Sequence, residues 1–175
     1  MTTIIALRRA TGDDVDWLVE LLTGEETEPF LSAARAADPD GIAEAVQRSL
    51  DDPERFGRFV VEADGERAGA MGFEQRSERH RIASLGGLAI HPAFRGRGIA
   101  EEAARQLQRY LLLEVGYHRL ELACYGFNER AIRHAERVGF VREGVKRRAY
   151  LRHGEWQDAV EFALLREDLD RRMPA

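Results

Sequence analysis

The length and composition of the chain indicate one folded domain. Its 175 residues, 44% hydrophobic and 33% charged, suffice for a single hydrophobic core and do not indicate disorder. The 26 Lys and Arg against 31 Asp and Glu give a net charge of -5, which argues against a general nucleic-acid-binding protein because such proteins are usually basic. This mild acidity is compatible with a cationic substrate such as an amine, and equally with ordinary solubility.

Cysteine content and hydrophobic runs exclude further classes. The single cysteine, Cys124, cannot form an intramolecular disulfide or a thiol-based zinc site. No segment approaches the roughly 20 apolar residues of a membrane span, and residues 1–9 lack the apolar core of a signal peptide. No His-Glu-x-x-His or similar spacing indicates a metal site. We therefore expect a cytoplasmic protein that holds no metal and binds neither nucleic acid nor membrane.

Hydrophobic periodicity predicts strands and helices along the whole chain. Apolar residues recur at three and four positions in the helical segments and cluster or alternate in the strands, with Asp, Asn, Gly and Pro at the ends. In chain order the segments are strand 3–8, helix 15–22, helix 42–50, strands 58–63, 67–74 and 83–90, helix 98–115, strand 118–125, helix 131–138, and strands 140–151 and 158–165. This βααβββαβαββ order predicts a single α/β domain over residues 1–175, with a mixed central sheet flanked by helices.

Three connections carry predictions of their own. Asp64-Gly65 predicts a tight hairpin, because this pair supplies the positive φ angles that such turns need. The segment 24–37, acidic and then Ala-rich, is predicted to be a loop that helps to form a substrate wall. The charged segment 75–81 is a second loop, and we expect loops of this kind to determine the acceptor.

A glycine-rich turn between the fourth predicted strand and the following helix predicts a phosphate-binding site. Gly96 and Gly98 let the main chain approach a ligand closely, and the first turn of the helix leaves amide N–H groups unpaired at the positive end of the helix dipole. Arg95 and Arg97 add positive charge beside it. The alternative is a tight strand-to-helix connection whose glycines only permit the turn.

Two common nucleotide-binding motifs do not fit this turn. A dinucleotide-binding fold requires Gly-x-Gly-x-x-Gly after the first strand, whereas here the third glycine is absent and the turn follows the fourth strand. No Gly-Lys-Ser or Gly-Lys-Thr of a phosphate loop occurs in the chain. Both motif and position therefore argue against these two classes.

The turn resembles the acetyl-CoA motif of the GNAT superfamily of N-acetyltransferases, which is Arg or Gln, two residues, Gly, one residue, then Gly or Ala. Arg95, Gly98 and Ala100 match this motif, and the resemblance covers residues 85–168. Its later positions are similar to the branch that contains ribosomal-protein N-terminal and polyamine acetyltransferases. The further matching positions are residues 128–132, Gly139, Phe140, Glu143, Gly144, Arg147, Gly154, Asp158, Leu164 and Leu165.

The resemblance implies that acetyl-CoA is the co-substrate and that main-chain groups bind it. Backbone groups of Leu88, Ala89 and Ile90 would hold the pantetheine arm like an added strand. The amide of Ile90 or of a neighbour would donate to the thioester oxygen, and the Asn128 side chain would lie near the arm or serve as a plain helix cap. The pyrophosphate would accept hydrogen bonds from the N–H groups of Gly96, Arg97, Gly98, Ile99, Ala100 and Glu101.

The implied reaction is transfer of an acetyl group from acetyl-CoA to a primary amine, by direct attack of the neutral amine in a ternary complex. The acceptor would be an amine-bearing small molecule or a protein N-terminus, and a homodimer fits the resemblance. Two alternatives stay open. In the first, the acyl group is longer, such as succinyl, and pairs with the basic segment 142–152. In the second, the protein is a catalytically weak acyl-CoA sensor or scaffold.

The catalytic side chains are where this sequence departs from the family. Many members carry a Tyr seven residues after Asn128, where it protonates the departing thiolate, but this chain has Ala135. Tyr150, on the penultimate strand, and Glu74, on an earlier strand, are candidate replacements. The competing interpretations are aromatic packing for Tyr150 and an exposed strand carboxylate for Glu74. His134 is expected on the surface.

Overall fold

The computed structural model describes residues 3–31 and 38–170. The strands within them are β1 (Ile5–Arg9), β2 (Phe56–Ala63), β3 (Glu66–Ser77), β4 (Ile82–Ile90), β5 (Arg119–Tyr125), β6 (Val141–Arg152) and β7 (Glu155–Leu165). The helices are α1 (Val15–Thr23), α2 (Pro39–Asp51), α3 (Ile99–Arg109), α4 (Glu129–Arg137) and α5 (Arg166–Asp170). The predicted order βααβββαβαββ is confirmed, and α5 follows it. None of these helices combines the length and apolar character that a membrane crossing requires.

One mixed sheet contains all seven of these strands. Their spatial order is β1-β2-β3-β4-β5-β7-β6, and every neighbouring pair is antiparallel except β4 and β5, which run parallel. The register between β4 and β5 comprises three residue pairs, from Ile82 opposite Arg119 to Ser84 opposite Glu121. Beyond these pairs the two strands separate, so the sheet opens towards their C-terminal ends.

A β-bulge in β4 marks the place where the sheet opens. Ala70 of β3 lies opposite Ala89, but Gly72 lies opposite Gly86, so three steps along β4 face two steps along β3. This stretch includes Gly87, whose φ of +64° is a conformation that residues with side chains rarely adopt. Bulges bend a strand and re-aim the residues that follow, and this one lies just beyond the last pair with β5.

Helices cover both faces of the sheet with separate hydrophobic clusters. On one face α1 and α2 pack against strand residues that include Val60 and Ala70. On the other face α3 presents Ile99, Ala103 and Leu107, which recur at the four-residue spacing of one helix face and are all buried. Burial of each large aliphatic side chain contributes about 1.5–3 kcal/mol. Because Ile99 lies in the first turn of α3, this burial holds the start of the helix against the sheet.

An ion pair at the start of α1 ties this helix to the first strand. Asp14 is only 1% exposed, and its carboxylate accepts hydrogen bonds from Arg8 at 2.7 and 2.9 Å and from the amide of Thr11 at 2.9 Å. Arg67 of β3 lies 3.2 Å from the same carboxylate. The hydrogen bonds from Arg8 are the main reason that the pKa of Asp14 falls from 3.8 to about 2.

Several element ends differ from the prediction. The α-helical part of the predicted helix 98–115 is shorter, because residues Tyr110–Val115 form a turn of π-helix. β7 begins at Glu155 rather than at 158, because the hairpin before it is tight. The predicted loop 24–37 contains one helical turn at Glu28–Phe30, and its residues 32–37 lie outside the described residues. The predicted loop 75–81 is shorter, because β3 continues to Ser77 and β4 begins at Ile82.

Candidate active site

A cleft of about 550 Å³ opens where β4 and β5 separate. It is lined by both strands, by the turn between β4 and α3, and by one side of α4. Thr27 and Leu31, from the segment that follows α1, close it on another side. Open α/β sheets bind ligands in such crevices at the C-terminal ends of parallel strands, so this cleft is the candidate active site.

The turn before α3 presents a row of free main-chain donors to this cleft. Gly96 and Gly98 have φ values of +75° and +73°, and the earliest hydrogen bond of the helix runs from the amide of Glu102 to the carbonyl of Gly98 at 3.2 Å. The N–H groups of residues 96–101 donate no hydrogen bond to any described residue. Six consecutive unpaired donors at a helix N-terminus form a site for an anion such as a diphosphate.

The two glycines are required by backbone conformation rather than by lack of space. A Cβ atom built on Gly96 or Gly98 would meet no atom within 4 Å. The positive φ angles are nevertheless strained for any residue with a side chain. Both glycines are exposed, so a ligand can reach the amides directly.

The backbone of β4 turns Leu88 and Ile90 towards the cleft. The amide of His91 donates to the carbonyl of Ala68 in β3 at 2.8 Å, and backbone groups of successive strand residues point to opposite edges. Leu88 and Ile90 therefore direct their N–H and C=O groups towards the gap beside β5. The same alternation directs the backbone groups of Ala89 towards β3, so the predicted contact of Ala89 with a pantetheine arm does not fit this register.

The two arginines of the turn contact protein groups, and Arg95 also lines the cleft. Arg95 donates from Nε to the carbonyl of Ile90 at 3.0 Å and from a terminal nitrogen to Glu26 at 3.0 Å. Arg97 donates to the hydroxyl of Thr3 at 3.3 Å. Arg95 therefore joins the turn to β4 and to the segment after α1, and the role of both arginines beside a phosphate stays a prediction.

Helix α4 adds positive charge to the cleft, which sequence reasoning missed. Arg130, His134 and Arg137 recur at helical spacing on one face of α4, and all three line the cleft. Arg137 also bonds Glu101 of α3 at 2.7 Å, which joins the two helix ends. His134 was expected on the surface but is partly buried, and burial lowers its pKa, so its imidazole is neutral near pH 7. The 130–134–137 spacing was the available signal.

Asn128 and Ala135 both line the cleft at α4. The Asn128 side chain is 6% exposed and accepts a hydrogen bond from the amide of Ala131 at 3.1 Å, which confirms the predicted helix cap. Ala135 is 1% exposed, and its methyl group occupies the position of the missing Tyr. Cys124 of β5 also lines the cleft, but burial raises the pKa of its thiol to about 11, so it is not a thiolate near neutral pH.

Tyr150 does not line the cleft itself but packs against a residue that does. Its ring packs perpendicular to that of Tyr125 with 5.7 Å between centroids, and Tyr125 lines the cleft. Burial, and secondly the charge of Glu161, raise the pKa of Tyr150, so its phenol is protonated at neutral pH. The packing that the sequence offered as an alternative is therefore present, and it holds the phenol near the cleft.

Glu74 lies on the face of the sheet that α1 and α2 cover. Its carboxylate is 3.0 Å from Arg48 of α2, and its side chain is 44% exposed. Its neighbour across the sheet is Ser84, at the point where β4 and β5 are still paired. Glu74 is thus near the base of the opening and already has a cationic partner.

A family model for the acetyltransferase (GNAT) domain matches residues 5–141. The chain belongs to the GNAT acetyltransferase family. Spermidine N(1)-acetyltransferase of Escherichia coli (strain K12) is 31% identical over 107 residues, which are 61% of this chain and 57% of that protein. L-amino acid N-acetyltransferase AaaT of the same strain is 28% identical over 119 residues, 67% of this chain and 73% of that protein. The chain spans about half the length of the first curated relatives it matches.

Solved structures share the GNAT fold over almost the whole chain. Spermidine N-acetyltransferase from Vibrio cholerae, in complex with CoA and spermine, superposes with a TM-score of 0.83 at 22% identity, covering 94% of this chain and 96% of that one. A chimera of the Vibrio cholerae enzyme gives a TM-score of 0.84 at 22% identity, covering 96% and 99%. At this identity the likeness establishes the fold, and it confirms the predicted α/β class with a mixed sheet.

Proposed function

We propose that this GNAT protein is an N-acetyltransferase that transfers an acetyl group from acetyl-CoA to a primary amine in a ternary complex. The observation that carries the proposal is the row of six free N–H groups at residues 96–101, at the mouth of a cleft between two splayed strands. When bound, acetyl-CoA supplies an activated thioester carbonyl. The chain itself supplies the anion-binding amides of residues 96–101 and the main-chain groups of Leu88 and Ile90, which face the cleft.

The main chain of β4 supports both binding and catalysis. Leu88 and Ile90 offer N–H groups to the cleft, where a pantetheine amide would pair with the strand. The N–H of Ile90 is the proposed donor to the thioester oxygen, because a fixed amide costs no reorganisation when negative charge develops. The carbonyl of Ile90 is held by Arg95 at 3.0 Å, which fixes the orientation of this peptide.

Proton transfer is proposed to depend little on a side chain of α4. Ala135 has no proton to give, and a CoA thiol is acidic enough to leave without full protonation. The proposed proton donor to the departing thiolate is Tyr150, which lies beside Tyr125 at the edge of the cleft. Its pKa is raised, so its phenol is protonated. Alignment of the two reactants would then supply most of the rate enhancement.

The acceptor is proposed to be an amine-bearing small molecule or a protein N-terminus. Relatives named for spermidine and for L-amino acids both use amines.

We also propose a cytoplasmic location and a homodimer. The edge strand β6 and its hairpin expose Val145, Leu151 and Trp156 at 43%, 60% and 55%, an apolar edge that a second copy would cover, and sedimentation velocity would report the dimer.

Two measurements test the proposed reaction. Isothermal titration with CoA should give binding in the micromolar range, and thiol release from acetyl-CoA should depend on an added amine from a panel of polyamines, amino acids and peptides. Binding with no acceptor-dependent turnover would favour the sensor alternative, which Ala135 keeps in consideration. Faster turnover with succinyl-CoA than with acetyl-CoA would favour the longer donor. Failure to bind CoA contradicts all three.

A further inference from the structure

Arg58 of β2 places a guanidinium beside the bulge of β4. It lies opposite Gly72 in the sheet, so its side chain is on the face covered by α1 and α2. One terminal nitrogen is 2.8 Å from the position that a Cβ on Gly87 would take and 3.5 Å from the corresponding position on Gly72. Gly87 lines the cleft. The missing side chain of Gly87 therefore leaves the space that the guanidinium occupies.

This guanidinium has no protein partner among residues 3–31 and 38–170. Its side chain makes no hydrogen bond and no ion pair there, although it is partly buried. Burial lowers the pKa of Arg58, and the charge of Glu74 only partly opposes that effect. The Glu74 carboxylate is instead paired with Arg48 at 3.0 Å. None of the Arg58 nitrogens is buried without a partner, so the fork of N–H donors, unpaired within the described part of the chain, is open to solvent, where the carboxylate of a ligand can replace water.

The carboxylates on the same face are already neutralised. Glu121 lies opposite Ser84, and Glu161 lies opposite Ala123, two positions further along β5. Glu121 is 2.7 Å from Arg119, and Glu161 is 3.1 Å from Lys146. Among the described residues near the opening, the cations without an ion pair include the partly buried Arg58 and the exposed Arg76, whose charge acts on Tyr150. A polycation gains little there, whereas an anion gains a fork of N–H donors.

We infer that Arg58 binds a carboxylate of one of the two reactants, and that the carboxylate belongs to the acceptor amine. This inference rests on the proposed acetyl transfer and names its substrate class: amines that carry a carboxylate close to the amino group, as amino acids do. A guanidinium beside Gly87 lies on the face of the sheet opposite α3. It therefore reaches the opening from the side away from the free N–H groups of residues 96–101. The carboxylate could instead belong to the acyl donor, if the donor is a dicarboxylic acyl-CoA such as succinyl-CoA.

Paired substrates separate these sources. Initial rates are measured for the parent protein, Arg58→Gln and Arg58→Lys with leucine and with 3-methylbutylamine, which differ by one carboxylate, using acetyl-CoA. A further arm uses succinyl-CoA with 3-methylbutylamine. Arg55→Gln is the matched control, since Arg55 directly precedes the same strand, pairs with Glu78 at 3.0 Å and is 52% exposed.

The expected result is a loss of about 30-fold in kcat/KM for leucine in Arg58→Gln, mainly through KM, with partial recovery in Arg58→Lys and a change below about 2-fold for 3-methylbutylamine. A loss confined to succinyl-CoA assigns the carboxylate to the donor instead. Equal losses for both amines, or a parent that prefers 3-methylbutylamine or spermidine to leucine, overturn the inference.

A binding measurement distinguishes this inference from the proposed reaction. Leucine should raise the melting temperature of the parent protein and of Arg55→Gln but not of Arg58→Gln, and CoA affinity should be equal in all three. If leucine raises the melting temperature only when Arg58 is present, and CoA does not bind, the acetyltransferase proposal is contradicted and the carboxylate site is supported. CoA binding without a leucine effect, together with equal rates in the variants, removes the carboxylate site alone.

Discussion

At the turn before α3 the cleft presents main-chain N–H groups, whereas at the bulge of β4 it is lined by Gly87, and the side chain of Arg58 lies directly behind this glycine. The first arrangement depends on two glycines with positive φ and on the start of one helix. The second depends on β2, β3 and β4 lying side by side in one register. The proposed phosphate site therefore depends on a local property of the chain, and the proposed acceptor site depends on the assembled sheet.

Disrupting the turn should cause the largest change, because it removes several donors at once. Gly98→Val places a β-branched side chain at φ +73° and should displace the amides of residues 98–101. We expect CoA affinity, measured by isothermal titration, to fall about 100-fold or more. Gly12→Ala, at an open position without positive φ, is the control and should bind CoA like the parent. An unchanged affinity in Gly98→Val would place the diphosphate elsewhere.

A change remote from both regions should alter stability alone. Asp14→Asn weakens the charged hydrogen bonds to Arg8, and a pKa of about 2 against 3.8 unfolded corresponds to about 2 kcal/mol of unfolding free energy at neutral pH. Because the folded pKa is depressed, this contribution is present above about pH 4 and disappears as pH falls towards 2. Urea unfolding at pH 7 and pH 2.5 should show a large difference between parent and variant at the higher pH and a small one at the lower. A pH-independent difference would contradict the assignment.

Removal of the candidate acid should affect turnover and not cofactor binding. Tyr150→Phe keeps the ring against Tyr125 and deletes the hydroxyl, so we expect kcat to fall about 10-fold with an unchanged Kd for CoA. Because burial raises the pKa of Tyr150, the alkaline decline of the parent's kcat should lie at higher pH than an ordinary tyrosine would give, and the variant should lose that decline. Tyr110→Phe, at a hydroxyl that accepts from Arg9 at 3.1 Å far from the cleft, serves as the control. Equal kcat in parent and Tyr150→Phe would leave only the packing role.

Glu74→Gln should have the smallest effect of the four. Its carboxylate is half exposed and paired with Arg48, so it is poorly placed to act as an essential base. We expect kcat/KM to change by less than about 3-fold in a leucine assay. A decrease above 10-fold with a shifted acidic limb of the pH profile would make Glu74 the general base.

The same local and non-local distinction explains what the sequence could predict. The hairpin at Asp64-Gly65, with φ of +52° and +84°, and the cap at Asn128 depend on residues within three positions, and both were predictable. So was the glycine turn before α3. The bulge at Gly87 was not, because it is visible only when β4 is aligned with β3.

Side-chain partners were the part that the sequence could not determine. Arg95 and Arg97 are adjacent to the glycines and were interpreted as phosphate ligands, but their contacts are Glu26 and Thr3, which are distant in sequence. Arg58 has nothing in its sequence neighbourhood to distinguish it. Its guanidinium has no ion pair among the described residues, because the nearby Glu74 is paired with Arg48, and only the packed structure reveals this.

Amide NMR during a CoA titration tests the central claim most directly. In a ¹H–¹⁵N spectrum of the labelled protein, the amides of residues 96–101 should show large downfield shifts and slower hydrogen exchange when CoA binds, because each gains a charged acceptor in place of water. Binding that leaves those six resonances unchanged while others move would contradict the account.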